Sequence, residues 1–188
     1  MANVNHNTLT DPYLHEPKGA STAIAGQVYI ANGAGSGTWT QNHNYINGYI
    51  AFDATTPAYN HSVTTSFTPL DPTFLVSTAL GWSGSTTPNA RLIYTGTNSI
   101  TAAVNFTFNY KNNSGTSRDI ELVFYKNGVV MNGGHIIVTA TTGDWKSATL
   151  TDYGSFSTND YLEIFIKGSA AFTLNVASAS LTTMGVPA

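Results

Sequence analysis

Carboxylates, imidazoles, indoles and one glycine-rich stretch are the groups in this 188-residue chain whose chemistry could be put to use. Asp119 and Glu121, with Asp160 and Glu163 further along, are the acids close enough in sequence to suggest a pair. Glycoside hydrolysis needs two carboxyls about 5–10 Å apart across a cleft. Asp119 and Glu121 share one strand face, but charges near strand ends ordinarily serve solubility and edge protection. No catalytic residue is assigned, and the chain is expected not to be an enzyme. The five histidines, His6, His15, His43, His61 and His135, never fall at the i, i+2 or i, i+4 spacing of a local metal pair. They read as solvated or hydrogen-bonded polar residues, and no metal or cofactor is expected. Gly33–Thr38 (GAGSGT) lacks the Lys and Ser/Thr that a phosphate loop places after its last glycine, and Trp39 with strand character follows instead of a helix. Trp39, Trp82, Trp145 and Tyr153 could stack on sugar rings. Trp82 and Trp145 flank turns, which makes them the candidate glycan contacts, although core or trimer packing is the favoured reading of these aromatics.

The elements that would position these groups are constrained by composition. Charged residues are 9% of the chain, against roughly 25% in an average soluble domain. Ser, Thr, Asn and Gly take their place, which suits strands and turns better than helices with a Glu/Lys wet face. Hydrophobic residues at 41% allow a normal core. The net charge is -3, and no Lys/Arg cluster exists, so no nucleic-acid partner is expected. No apolar run of about 18 residues occurs, and the opening MANVNHNTLTDPYLHEPKG has neither the basic start nor the apolar centre of a signal peptide. No membrane partner is expected. Cysteine is absent, which removes disulfides, thiolate sites and Cys nucleophiles together.

Along the chain, residues 1–45 read as an extended arm with one short hairpin, Gln27–Ile30 against Thr38–Thr40. An arm of this length orders only on a partner surface. Residues 46–188 read as the folded head. Its strand candidates are 49–52, 62–67, 73–80 and 91–94, punctuated by prolines, and then a clearer series. Ile100, Ala102, Val104, Phe106, Phe108 and Tyr110 alternate with Thr101, Asn105, Thr107 and Asn109, the period of a half-buried strand. Ile120, Leu122 and Phe124 alternate in the next segment, and Asn127-Gly128 supplies a type I′ hairpin turn. Residues 129–131, 135–141, 145–150, 161–167 and 172–181 complete the set. Many short strands and no helical period imply a sandwich or barrel.

The strand ITAAVNFTFNY, the hairpin RDIELVFYKNGVVM and the pair DYLEIFIKG and FTLNVASASLTTM resemble the jelly-roll heads of bacteriophage fibre and decoration proteins. Those heads are similar to the C1q/TNF-like trimeric fold. Separately, HEPKGASTAIAGQVYIANGAGSGTWT resembles N-terminal attachment segments of phage virion proteins. The resemblance implies an all-β chain, an N-terminal arm followed by an antiparallel jelly-roll sandwich, assembled as a homotrimer. It implies a location on the virion exterior after synthesis in the host cytoplasm. For a product of bacterial translation, the Asn-X-Ser/Thr matches carry no meaning.

Two functions follow as expectations. In the first, the chain is a capsid decoration, cement or head-fibre protein, bound to the major capsid protein or another virion protein. Tyr13, Leu14, Tyr29, Ile30 and Trp39 of the arm are the candidate contacts, acting through backbone strand addition. Val123 and Tyr125 lie opposite the core-facing Ile120, Leu122 and Phe124, so they are the candidate trimer-interface residues. In the second, the head is a receptor-binding module for a host-surface glycan, with Trp82 and Trp145 as contacts.

Overall fold

In the computed structural model, residues 23, 27–31, 37–41, 46–53, 59–71, 75–77, 81–86 and 88–187 are described. The chain divides into two units, Met1–His43 and Asn44–Ala188. In the first, β1 (Gln27–Ala31) pairs antiparallel with β2 (Gly37–Gln41), placing Tyr29 opposite Trp39. Their rings meet edge to face, centroids 5.4 Å apart. Val28 and Ile30 lie on the other face with Thr38 and Thr40. His6, His15, Tyr13, Leu14 and the turn at 33–36 lie outside the described residues, as does His43.

The second unit is all-β. It begins with β3 (Ile46–Asp53), β4 (Tyr59–Val63), β5 (Thr68–Pro69), β6 (Leu75–Ser77), β7 (Trp82–Ser85) and β8 (Arg91–Tyr94). The longer strands follow: β9 (Ile100–Asn112), β10 (Arg118–Lys126), β11 (Val129–Ala140), β12 (Lys146–Phe156), β13 (Tyr161–Gly168) and β14 (Phe172–Pro187). One sheet runs β11-β10-β13-β8-β7, with β5 on β13; the other runs β12-β9-β14-β3-β6, with β4 on β14. If the eight principal strands β3, β8, β9, β10, β11, β12, β13 and β14 are counted in order, the sheets read 2-7-4-5 and 1-8-3-6. That interleaving is a jelly roll.

The alternation in the sequence becomes the two faces of each sheet. Ile100, Ala102, Val104, Phe106, Phe108 and Tyr110 all point inward and are buried, and Ile120, Leu122 and Phe124 meet them from the opposite sheet. Phe106, Phe108 and Tyr110 stack along one strand, with centroids 5.4 and 4.5 Å apart. Offset aromatic contacts of this kind add to the area they bury. At the β9–β10 turn the buried Asn112 is fully used. Its side-chain NH2 donates to the Thr116 carbonyl at 2.5 Å, and its Oδ1 accepts from Ser114 N–H at 2.7 Å.

Asn127 and Gly128 both adopt positive φ, 53° and 78°, as a type I′ turn requires. Asn127 gains a compensating role, because its Oδ1 accepts from Tyr161 N–H and its Nδ2 donates to Asp160. Gly128 has no such option. Gly128→Ala is expected to destabilise the head by about 1 kcal/mol through the left-handed penalty, with the urea midpoint as readout.

The structure extends several strands. Residues 129–131 and 135–140 join into one strand with a register shift, so that Met131–Gly134 bulge out between the pairs Tyr125↔Val130 and Val123↔His135. β14 continues six residues beyond Leu181 to Pro187, pairing with both β3 and β9. The segment 62–67 is not one strand: β4 ends at Val63, and the chain crosses to add Thr68 and Pro69 to the free length of β13.

Candidate functional site

The outer faces of the two sheets carry opposite chemistry. The β11-β10-β13-β8-β7 sheet and its turns hold every ion pair found among the described residues. These are Arg91–Glu163 (3.4 Å), Lys126–Asp160 (2.8 Å), Glu121–His135 (2.8 Å) and Glu121–Lys167 (2.8 Å). Aromatics are interleaved with them. Tyr125 stacks on Phe165 at 3.9 Å, Phe67 meets Tyr125 edge-on at 6.3 Å, and the Lys167 ammonium lies 4.5 Å from the Phe67 ring centroid. Most of this face satisfies itself, although Ile137, the registered partner of Glu121, is 62% exposed.

The outer face of β12-β9-β14-β3 is different. From 101 to 109 on β9, 147 to 155 on β12, 178 to 186 on β14 and 47 to 51 on β3, the outward positions hold only Ser, Thr, Asn, Ala, Tyr, Met and Val. Registered pairs place Tyr153, Ala103, Met184 and Asn47 in one row across the four strands. Tyr49 lies in the next row on one side, and Val186 in the next row on the other. Tyr153 is 75% exposed, Met184 61%, Val186 49% and Tyr49 42%. The floor is short and neutral, with hydroxyl–hydroxyl and amide–hydroxyl bonds such as Thr107–Thr149 (3.0 Å) and Asn109–Ser178 (2.6 Å). At its far end Lys111 sits 4.9 Å from the centroid of Trp145, which is 47% exposed.

Tyr153 also borders a groove of about 360 Å³ beside the β11 bulge, lined by Val129, Val130, Met131, Asn132 and Asp152 among others. Val129 is 67% exposed and Val130 42%. The bulge depends on its glycines. A Cβ on Gly134 would come within 2.6 Å of the Phe124 ring, and one on Gly133 within 2.2 Å of the Asp152 carboxylate. The neutral face and this groove, which sets exposed valines beside Lys126 and Asp152, meet at β12.

Sequence-based candidates fall on both sides of this division. Trp82 is not a glycan contact: it is 2% exposed, with its ring edge-on to Tyr94 at 5.2 Å and to Phe156 at 5.0 Å. The β7–β8 hairpin carries it inward to close one end of the sandwich. Val123 is not an interface residue either. It lies opposite the core as expected, but it is 3% exposed, beside its registered partner Phe165, whose ring belongs to the cluster with Tyr125 and Phe67. Tyr125 is half-buried in the ring cluster of that face. Trp145 is exposed as a ligand contact requires. His61 departs from the solvated reading, being 6% exposed with Nε2 unpartnered and Nδ1 3.4 Å from the Tyr59 hydroxyl.

The acids singled out in the sequence all have partners. Glu121 is tied to Lys167 and His135, and Asp119 accepts the Thr139 hydroxyl at 2.7 Å. The two border a cavity of about 220 Å³ with Lys167. Glu163 is buried against Arg91 and Asn89. Burial raises the pKa of Asp160, but bonds from Lys126, Ser157 N–H and Asn127, with the Lys126 charge, outweigh it and hold the group below its usual range. Among the described residues no three His, Asp or Glu side chains gather to hold a metal. No helix among them is long and apolar enough to cross a membrane.

No protein-family model and no curated protein matches the chain. Among solved structures, the Eiger TNF from S. frugiperda is 12% identical, covering 76% of this chain and 93% of its own, with a TM-score of 0.41. The CBM22-1 xylan-binding domain from Paenibacillus barcinonensis is 14% identical over 65% and 91%, TM-score 0.35. A CBM35 from Cellvibrio japonicus is 16% identical over 71% and 92%, TM-score 0.31. All three likenesses are distant. The site rests on geometry alone.

Proposed function

We propose that the protein is a non-enzymatic structural component of a bacteriophage virion, a jelly-roll head that associates as a homotrimer while its N-terminal unit holds it to the major capsid protein or another virion protein. The observation that carries self-association is the contrast between the two sheet faces. One spends its charges on internal ion pairs, whereas the other exposes tyrosine, methionine and valine on a neutral floor. Depletion of charge with enrichment of Tyr and Met is the composition of an interface core. Two different surfaces, the Tyr49–Met184–Val186 face and the groove where Val129, Val130 and Tyr153 lie beside Lys126 and Asp152, suit a heterologous contact that closes into a ring. The number three and the virion setting come from the sequence resemblance. Threefold display multiplies weak attachment contacts into firm holding.

Oxidation of methionine tests the face directly. Among the three methionines, Met184 is 61% exposed on the single chain. In the assembled protein, dilute peroxide is expected to oxidise Met184 several-fold more slowly than the urea-unfolded chain, by peptide mass spectrometry. Met184 oxidised at the unfolded rate would mean that the face stands open.

Recognition of a host glycan is the second reading, and exposed Trp145 beside Lys111 favours it. Trp82 is buried, so sugar added to the protein is expected to quench only the solvent-exposed part of the indole fluorescence. That response is expected to vanish in Trp145→Phe. No response across a panel of neutral and acidic oligosaccharides removes this reading.

A further inference from the structure

The β1–β2 hairpin presents two unlike faces. Tyr29 and Trp39 cover one, and on the other Val28 is 39% and Ile30 50% exposed between Thr38 and Thr40. Among the described residues the ladder has five registered pairs. A two-stranded hairpin of that size is marginal in water unless something covers a face. Exposed strands in natural proteins usually carry lysine, other charges or proline, which keep copies of the chain from pairing. Here Lys18 is the last charge before the hairpin and Asp53 the next, so residues 19–52 hold no Asp, Glu, Lys or Arg. No proline occurs in that run either.

We infer that the Val28–Ile30 face of the hairpin is a second self-association element, packing against the same face in other copies of this chain. Two features favour copies of the chain for this face. With no Asp, Glu, Lys or Arg in residues 19–52, nothing on the hairpin repels a second copy. The charge-free run also continues without interruption into β3, whose residues Asn47, Tyr49 and Ala51 belong to the neutral face of the head. Only residues 42–45 separate β2 from β3. Copies joined through that face therefore hold their hairpins at high effective concentration, so weak apolar contacts suffice. The inference rests on the proposed self-association of the head for this tethering. It leaves the Tyr29–Trp39 face for the larger body.

The absence of cysteine makes the test clean. Ile30→Cys and, as a control in an exposed turn of the head, Ser117→Cys are each made in the full chain. Both are oxidised with copper phenanthroline at micromolar concentration, and native mass is followed by light scattering. The Ile30→Cys chain is expected to keep a trimeric mass and to form disulfide-linked dimers on the order of tenfold faster than Ser117→Cys. A trimeric mass with equal cross-linking rates overturns the hairpin contact and leaves the head reading standing. A single-chain mass with fast cross-linking at Ile30 does the reverse. A single-chain mass with slow cross-linking at both positions removes both.

Discussion

Met184→Glu is expected to yield a folded, single-chain protein. Met184 points outward from β14, between Asn47 and Ala103 in the registered row, and is 61% exposed. A glutamate there meets water in the lone chain and disturbs no core residue, so the urea midpoint should barely move. In the assembled protein the same carboxylate would be stripped of water against tyrosine and methionine with no cation in the row to receive it. An unpaired buried charge costs roughly 3 kcal/mol or more, which weakens association on the order of a hundredfold. Sedimentation velocity at micromolar concentration reads this as a shift to the slower species. A charge introduced on the other sheet, at exposed Thr139, is expected to leave the sedimentation rate unchanged. If Met184→Glu sediments as the parent does, the neutral face is not where the copies meet.

His61 should make the fold acid-sensitive. Burial lowers its pKa from 6.5 to about 4, and its Nε2 has no hydrogen-bond partner. Above pH 6.5 the imidazole is neutral whether the chain is folded or not, and it adds no pH dependence. Between about 6.5 and about 4 the unfolded chain binds a proton that the fold refuses. Stability then falls by about 1.4 kcal/mol per pH unit, for a total near 3 kcal/mol at the lower end. Below that the native histidine protonates too and the slope ends. Asp160, held below its ordinary range, acts in a separate window: its stabilisation is present above the usual carboxylate pKa and is lost only as pH falls past it. His61→Phe keeps a flat ring of similar reach and removes the orphaned nitrogen. The variant is expected to be at least as stable at pH 7 and to lose the slope between pH 6.5 and 4.5 in urea titrations. Parallel pH profiles for parent and variant would contradict a neutral, buried imidazole.

Much of the head could be read from local pattern. The alternation of β9 and β10 assigned the apolar inward residues of both strands, because a period of two leaves one choice once the apolar set is known, although β9 runs on to the buried Asn112 that reads as a turn. Asn127-Gly128 located its hairpin, because few residue pairs tolerate two positive φ values. The misplacements share a physical cause. Trp82 sits in a short strand, Trp-Ser-Gly-Ser, with no alternation to say which way it points, and only pairing with β8 turns it inward. Val123 was expected at an interface because its strand face is apolar. Its neighbour Phe165 comes from β13, more than forty residues on, and Thr68 and Pro69 extend the sheet beyond β13 from almost a hundred residues before it. Proline there is tolerated at a sheet edge, although in sequence it reads as a break. His61 is buried by pairing with Leu174, a separation no local window spans. The neutral face left a trace in Thr182, Met184 and Val186, which alternate with the inward Leu181 and Thr183. Its meaning as a surface emerges only when four strands are set side by side.

Copies of this chain either cover the neutral sheet or leave it open. Sedimentation equilibrium of the full-length protein across nanomolar to micromolar concentration addresses that most directly. Three chain masses at the upper end, reverting toward one in Met184→Glu, is the result expected. One chain mass at every concentration, with Tyr49, Tyr153 and Met184 all open to solvent reagents, would contradict it.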